Sequence, residues 1–333
     1  MATVGNARFI GTVQAAADFM GPGAIEINRY QAEIVDLVRR RFYLGQRINQ
    51  VPATGQPSRY FEQLAIPSAD FTDPRAIAMT ASQPTRQERY VTLKALGTQL
   101  NYSLFDIEVN QQQGQFAYLE AKDLSDAVDS VLKLHDKNLW VGSDTDLIIP
   151  TTNQYFGISG QIANAAAVGT PPTGFSQNVT IAAADSMVDA FKTQIAAMVS
   201  REDFEVKPSG LYGNPMGLNL LDIEAKALQM YYNETEIFPG VVVKAIPTQA
   251  GLLPLIPDAG LPVLDAPAGK KQYEFFALSE EFVEYHWLTS PVPRVFQLGL
   301  LGNLASQFIV VKFGAVVVKG PSYAHSHFLT VRT

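Results

Sequence analysis

An extended polar segment of β character, Gln56 to Leu104, runs straight into a long amphipathic helix, Gln115 to Val141. After the helix come a short acidic turn and the phrase Phe156-Gly157-Ile158-Ser159-Gly160. The stretch from Val51 to Arg89 is polar and broken by Pro52, Pro57, Pro67, Pro74 and Pro84. A strand Tyr60–Ile66 leads out, the tip Pro67–Pro74 turns, and a strand Tyr90–Leu104 returns. A long ribbon with few large apolar residues at its tip is unstable by itself. It needs a surface from elsewhere, and a neighbouring copy of the chain is the natural source.

The return strand changes phase. Val91, Leu93 and Ala95 alternate, then Leu96, Leu100, Tyr102 and Leu104 continue on the opposite face, so a bulge near Gly97 is expected to bend the ribbon. In the helix, Ala117, Ala121, Leu124, Val128, Val131, His135 and Leu139 recur at spacings of three and four. Lys122, Asp126, Asp129, Lys133 and Lys137 lie off that stripe. At 1.5 Å per residue the helix spans about 40 Å, a spine against which a sheet can pack. His135, on the apolar stripe, reads as a packing residue.

At 333 residues the chain exceeds the size at which one core stops growing, so two lobes are expected. Apolar residues make up 47% and charged residues only 17%, too few to cover a large monomer comfortably; an obligate oligomer follows. The net charge of −7 argues against a dedicated nucleic-acid binder, though not against a wall that faces nucleic acid. With no cysteine, disulfides, thiolate chemistry and cysteine-ligated zinc are excluded. No run of 18 apolar residues and no signal-peptide pattern is present, so a soluble cytoplasmic product without a membrane partner is expected.

The first 25 residues read as an arm. A short helix from Asn28 follows, with Tyr30, Ile34, Leu37 and Val38 on one face, closing on Arg39-Arg40-Arg41. That triplet either meets an acidic partner or phosphate, or is a solvated helix end. Ala163 to Thr180 reads as a crossing between lobes. In the second lobe Asp185 is expected to cap a helix with Val188, Phe191, Ile195 and Val199 on one face. Asn214-Pro215 opens another, with Leu218, Leu221, Ala225 and Leu228 inward. Strands are expected at Gly240–Ile246, Tyr273–Leu278 and Phe282–Leu288, with Thr248–Gln272 a loop. The last strands, Ser306–Lys319 (interrupted by Gly314) and Tyr323–Val331, are expected to rejoin the first lobe's core.

No catalytic signature emerges. Ala266-Pro267-Ala268-Gly269-Lys270-Lys271 lacks two elements of a phosphate loop, and Gly210, Gly213 and Gly217 miss the dinucleotide spacing. Gly-Ile-Ser-Gly around Ser159 is not a nucleophile elbow. His325 and His327 share one side of a strand, a geometry open to a metal, but without a third ligand nearby they read as surface or interface histidines. Glu280, Glu281 and Glu284 read as a charged loop contact. No cofactor and no metal is expected.

The order of elements over essentially the whole chain resembles the Hong Kong 97-type major capsid protein of tailed bacteriophages. The resemblance implies an α+β fold: an N-terminal arm with a short helix over 1–50, an extended β-loop over 51–105 and a peripheral domain with the spine helix over 106–165. An axial domain over 166–289 and return strands of the peripheral domain over 290–333 complete it. The phrases Val35-Asp36-Leu37-Val38-Arg39-Arg40-Arg41 and Phe156–Gly160 are also similar to encapsulins, shells of the same fold.

The family implies a non-enzymatic virion protein, assembled in the host cytoplasm as hexamers and pentamers into an icosahedral head around double-stranded DNA held without specific binding. Scaffold, portal and cement proteins would be further partners. With the loop starting near residue 51 there is no room for a long scaffolding segment before it, so a scaffold is expected to be separate or absent. Phe71, Asp73, Pro74 and Arg75 at the loop tip, with Arg39, Arg40 and Arg41, are the expected inter-subunit contacts. The family can form a Lys–Asn cross-link, and Lys94 lies in the loop, but no motif assigns that chemistry to it. A cellular compartment shell and a two-lobed enzyme with an unrecognised cleft site are the alternatives.

Overall fold

The computed structural model describes residues 44–72, 75, 81–103, 116–164, 177–201, 206–228, 233–238, 241–301 and 305–332. The expected arm helix with Arg39–Arg41, the tip residues Asp73 and Pro74, and most of the crossing between lobes lie outside them.

The first described elements are α1 (Leu44–Arg47), β1 (Asn49–Pro52), β2 (Ser58–Ala65), β3 (Thr85–Val91), β4 (Lys94–Ser103), α2 (Phe116–Trp140) and α3 (Ile158–Ala163). Next come β5 (Asn178–Ile181), α4 (Met187–Val199), β6 (Gly210–Gly213), α5 (Pro215–Ala227), β7 (Asn233–Phe238), β8 (Val241–Thr248) and β9 (Gly251–Pro257). The chain closes with β10 (Leu264–Asp265), β11 (Lys271–Leu278), β12 (Val283–Trp287), β13 (Arg294–Leu301), β14 (Ala305–Val318) and β15 (Ser326–Arg332).

These strands make two sheets and a separate ribbon. The first sheet runs β1-β12-β14-β13, with β4 also paired to β14; the second runs β5-β15-β11-β6-β9-β8-β7, with β10 on β11. Among the described residues β2 and β3 pair only with each other. The 25-residue α2 is the expected spine, one residue shorter at each end. Its Ala127 and Val131 pack on Val310 of β14, with Leu96 and Leu100 of β4 alongside. Farther along, Leu139 and Trp140 enter the main core with Tyr155, Tyr212, Phe276 and Tyr285, a cluster drawing on both sheets. A second core places Val188, Phe191 and Ile195 of α4 and Leu221 of α5 against Leu211, Leu253 and Phe275 of the second sheet.

The phrase after the spine has a steric origin. A Cβ on Gly157 would lie 2.4 Å from the Trp140 carbonyl oxygen, and one on Gly142 would lie 1.9 Å from that of Tyr155. Two backbones cross there with no room for side chains, which lets Phe156 and Ile158 turn into the core.

Several local expectations need correction. The return strand has no bulge at Gly97: β4 pairs with β14 in unbroken register from Lys94 to Ser103. The phase change comes from a break at Thr92-Leu93, where the chain leaves the ribbon and enters the first sheet. Gly97 is small because a Cβ there would lie 2.8 Å from the Val310 carbonyl oxygen. Gly314 does not interrupt β14; the Tyr285 ring lies against it, 2.4 Å from where a Cβ would stand.

Ser186, not Asp185, caps α4, its Oγ accepting from the Asp189 N–H at 3.2 Å. Asn214 caps α5 as expected, but Leu228 at its end is exposed. The stretch Thr248–Gln272 contains a strand, β9, parallel to β6 and buried from Leu253 to Ile256. The tail divides: β14 joins the first sheet and β15 the second, while β12, expected with the axial lobe, pairs in the first.

Candidate assembly surface

The base of the ribbon is locked to the body by buried polar groups. Ser58, Tyr60 and Glu62 of β2 point inward, whereas Arg59, Phe61 and Gln63 face water, the alternation of a half-buried strand. The Ser58 hydroxyl lies 2.9 Å from His286 Nδ1, and His286 Nε2 lies 3.2 Å from Glu284 Oε2. A carboxylate only accepts, so Nε2 carries the proton and Ser58 donates to Nδ1. Glu284 also takes the Lys319 ammonium at 2.6 Å. Burial would raise the Glu284 carboxyl, but hydrogen bonds from His286 and Lys319 and the Lys319 charge outweigh it and hold it below its ordinary value.

This Ser-His-Glu chain has the membership of a hydrolytic triad, yet Ser58 is 0% exposed and its Oγ also accepts from the Thr54 N–H at 3.3 Å. The arrangement fastens a strand. Glu62 adds a second fastening: it takes Arg89 of β3 at 2.5 Å and the Gly320 N–H at 2.9 Å. Tyr60 packs between them with Val91, Phe156 and Val317, and burial pushes its hydroxyl well above the usual tyrosine range.

On the outer face of this base and beyond it the ribbon turns apolar side chains to water: Phe61 on the base is 68% exposed, and farther out Ile66 is 77% and Phe71 109% exposed. Of the expected contact residues, Phe71 and Arg75 fall among the described ones. Lys94, expected in the loop, stands instead at the start of β4, its ammonium 2.5 Å from Asp144 and 2.5 Å from the Thr152 carbonyl. Burial would raise the Asp144 carboxyl, but hydrogen bonds from Lys94, Thr151 and Thr145 bring it down to about 2.

The C-terminal end of the spine is held twice. Asp136 accepts from the Gly45 N–H at 3.1 Å, and the Trp140 indole donates to Asp258 at 2.9 Å, tying the helix to the turn that follows β9. His135 is buried on the apolar stripe, 3.3 Å from the Tyr155 hydroxyl and with its ring against Tyr285; burial and the nearby Lys312 charge keep it neutral far below its ordinary pKa.

His325 and His327 are buried, which corrects their reading as surface or interface residues. His325 accepts from the Ser279 N–H and faces the Lys319 carbonyl, and His327 stacks on Phe276 at 4.7 Å. Burial lowers both to about 4. Glu280 is a contact residue, as expected, taking Arg47 at 2.6 Å and the Tyr212 hydroxyl at 2.7 Å. Among the described residues no group of three or more histidines and carboxylates is placed to hold a metal, and no helix is long and apolar enough to cross a membrane.

No protein-family model and no curated protein matches the chain. Solved structures do. The capsid of cyanophage A-1(L) is 12% identical, with 90% of this chain and 96% of that one covered at a TM-score of 0.59. The capsid of a native GTA particle is 10% identical, covering 95% and 98% at a TM-score of 0.58. The SrpI encapsulin of Synechococcus elongatus is 13% identical, covering 95% and 94% at a TM-score of 0.54. Over nearly its full length, then, this chain has the Hong Kong 97-type fold.

Proposed function

We propose that the chain is a major capsid protein, assembling as hexamers and pentamers into a closed icosahedral head around double-stranded DNA. The observation that supports it most is the ribbon: its base is fixed by buried Ser58–His286–Glu284 and Glu62 contacts, while Phe61 on its outer face and Ile66 and Phe71 beyond the base stand in water. A device so firmly anchored and so apolar is suited to lie on a neighbouring copy. The function is physical and needs no catalysis: apolar area buried between copies closes the shell. A net charge of −7 suits a wall that does not trap the nucleic acid it encloses.

The likeness to the Synechococcus encapsulin favours a second reading, a compartment shell around protein. Negative-stain microscopy of the purified chain, followed by analysis of the particle contents from its native cell, decides between them. Particles holding double-stranded DNA support the phage-type head; particles holding a defined protein support the compartment.

A further inference from the structure

The apolar seam between the spine helix and the first sheet is interrupted where both elements carry a basic residue. Ala127 and Val131 pack on Val310 in one cluster, and Leu139 and Trp140 pack with Tyr285 and Val316 in another. Between them along the helix and the strand stand His135 of α2, 4% exposed, and Lys312 of β14, 3% exposed. The two share one partner. The His135 ring meets Tyr285 of β12 edge to face with centroids 4.6 Å apart, and the Lys312 ammonium lies 4.5 Å from the centroid of the same ring.

The groups around this point leave a second positive charge poorly answered. Tyr155, after the acidic turn, lies 3.3 Å from His135 Nδ1 through its hydroxyl and 3.3 Å from the Tyr285 hydroxyl. Burial pushes the Tyr155 hydroxyl up to about 12 and the Tyr285 hydroxyl higher still, so both stay neutral. β4 brings Leu96 and Leu100 to the helix, and α1 brings the Gly45 N–H, which donates to Asp136. The Asp136 carboxylate attracts Lys312, whose ammonium burial brings down to about 8, so the lysine is charged near neutrality. A proton on His135 then sets a second cation beside the first in a buried space, where like charges and lost hydration both oppose it.

We propose that His135 and Lys312 form a proton-operated release for the spine helix: acid places like charges on the helix and on the strand it packs against, and the C-terminal half of α2 lifts from the sheet while the rest of the fold stays closed. Histidine suits such a switch because its ordinary titration falls near neutrality. The device stands independently of the shell reading. Its consequence reaches the ribbon, because the same helix packs on β4, the strand into which the ribbon runs after Thr92-Leu93.

Amide hydrogen exchange of the purified full-length chain, corrected for the intrinsic rate at each pH, reads the release. An exposed histidine takes its proton near pH 6.5 and the docked one stays neutral, so the opening equilibrium of residues 131–140 should shift about thirtyfold between pH 7.5 and pH 5.0. Helices α4 and α5 report opening of the whole chain, which His325 and His327 also favour in acid. The expected result is a loss of protection in α2 well beyond that in α4 and α5. His135→Phe, which keeps a ring against Tyr285, should abolish the excess. An α2 that loses protection only in step with α4 and α5, or a His135→Phe chain that keeps the wild-type excess, overturns the proposal.

Lys312→Met covers the case in which the histidine variant does not fold. It removes the cation beneath the helix, so protection of the same amides at pH 7.5 is expected to rise by roughly tenfold or more. Protection that stays at or below the wild-type level overturns the proposal.

Discussion

The Ser58 hydroxyl donates to His286 Nδ1 across 2.9 Å, joining residues 228 positions apart at the point where the ribbon leaves the body. Both are buried, and the imidazole passes the constraint on to Glu284 and Lys319. Ser58→Ala leaves the imidazole acceptor without its donor, a loss of about 1–3 kcal/mol. Denaturant unfolding measures it, and a double cycle with His286→Phe is expected to show positive coupling. Additive single effects would mean that the two groups do not depend on each other.

Acid is expected to destabilise the fold in two windows. His325 and His327 are neutral in the folded chain down to about pH 4, whereas an unfolded histidine takes its proton near pH 6.5. The unfolded state therefore binds more protons between those values, and stability falls as the pH is lowered from about 6.5 to 4, by on the order of 3 kcal/mol per histidine. Asp144 is the opposite kind of group: its stabilisation is full above the ordinary carboxylate value near 3.8 and is lost as the pH falls toward 2. Thermal unfolding against pH checks both windows, and His327→Asn should flatten the first.

Lys94 and Asp144 form a nearly buried pair at 2.5 Å, and Asp144 also takes the Thr151 and Thr145 N–H groups. Lys94→Met leaves a buried carboxylate without its cation, so a destabilisation of about 3 kcal/mol is expected. Replacing both residues by apolar ones should recover part of it. Chemical denaturation of the three variants is the measurement.

Trp140 both fills the main core and donates to Asp258, a 3% exposed carboxylate. Trp140→Phe keeps most of the packing and removes the donor, at about 1–3 kcal/mol. Trp140→Ala removes both, at about 3–5 kcal/mol. Equal losses in the two variants would show that packing contributes little there.

Gly97→Val places a branched side chain where the Val310 carbonyl already stands, 2.8 Å from the new Cβ. The β4–β14 pairing should weaken by about 1–3 kcal/mol, read from the unfolding midpoint.

The spine helix and the ribbon were legible in the sequence because their signals are periodic or local: the three-and-four stripe through Val131 and Leu139, and the prolines flanking Tyr60. The caps were half legible, since Ser186 and Asp185 are both good capping residues and backbone geometry selects between neighbours. Strand β9 was hidden by Pro254, Pro257 and the flanking glycines, and only its pairing beside β6 makes it a strand. The fastening of the ribbon could not be read. Ser58 and Glu62 share one face of β2, and Glu284 and His286 are two apart on β12, but no spacing rule connects the two strands to each other or to Lys319. Gly97 and Gly314 looked like defects in strands, whereas they are clearances for neighbours seen only in three dimensions.

The most direct test of shell assembly is the size of the purified full-length chain in solution, compared with a form in which residues 66–84 are replaced by a short turn. Sedimentation velocity should give closed particles, or hexamers and pentamers, for the intact chain and a shift to small species for the shortened one. A monodisperse monomer for both, with equal unfolding midpoints, would contradict it.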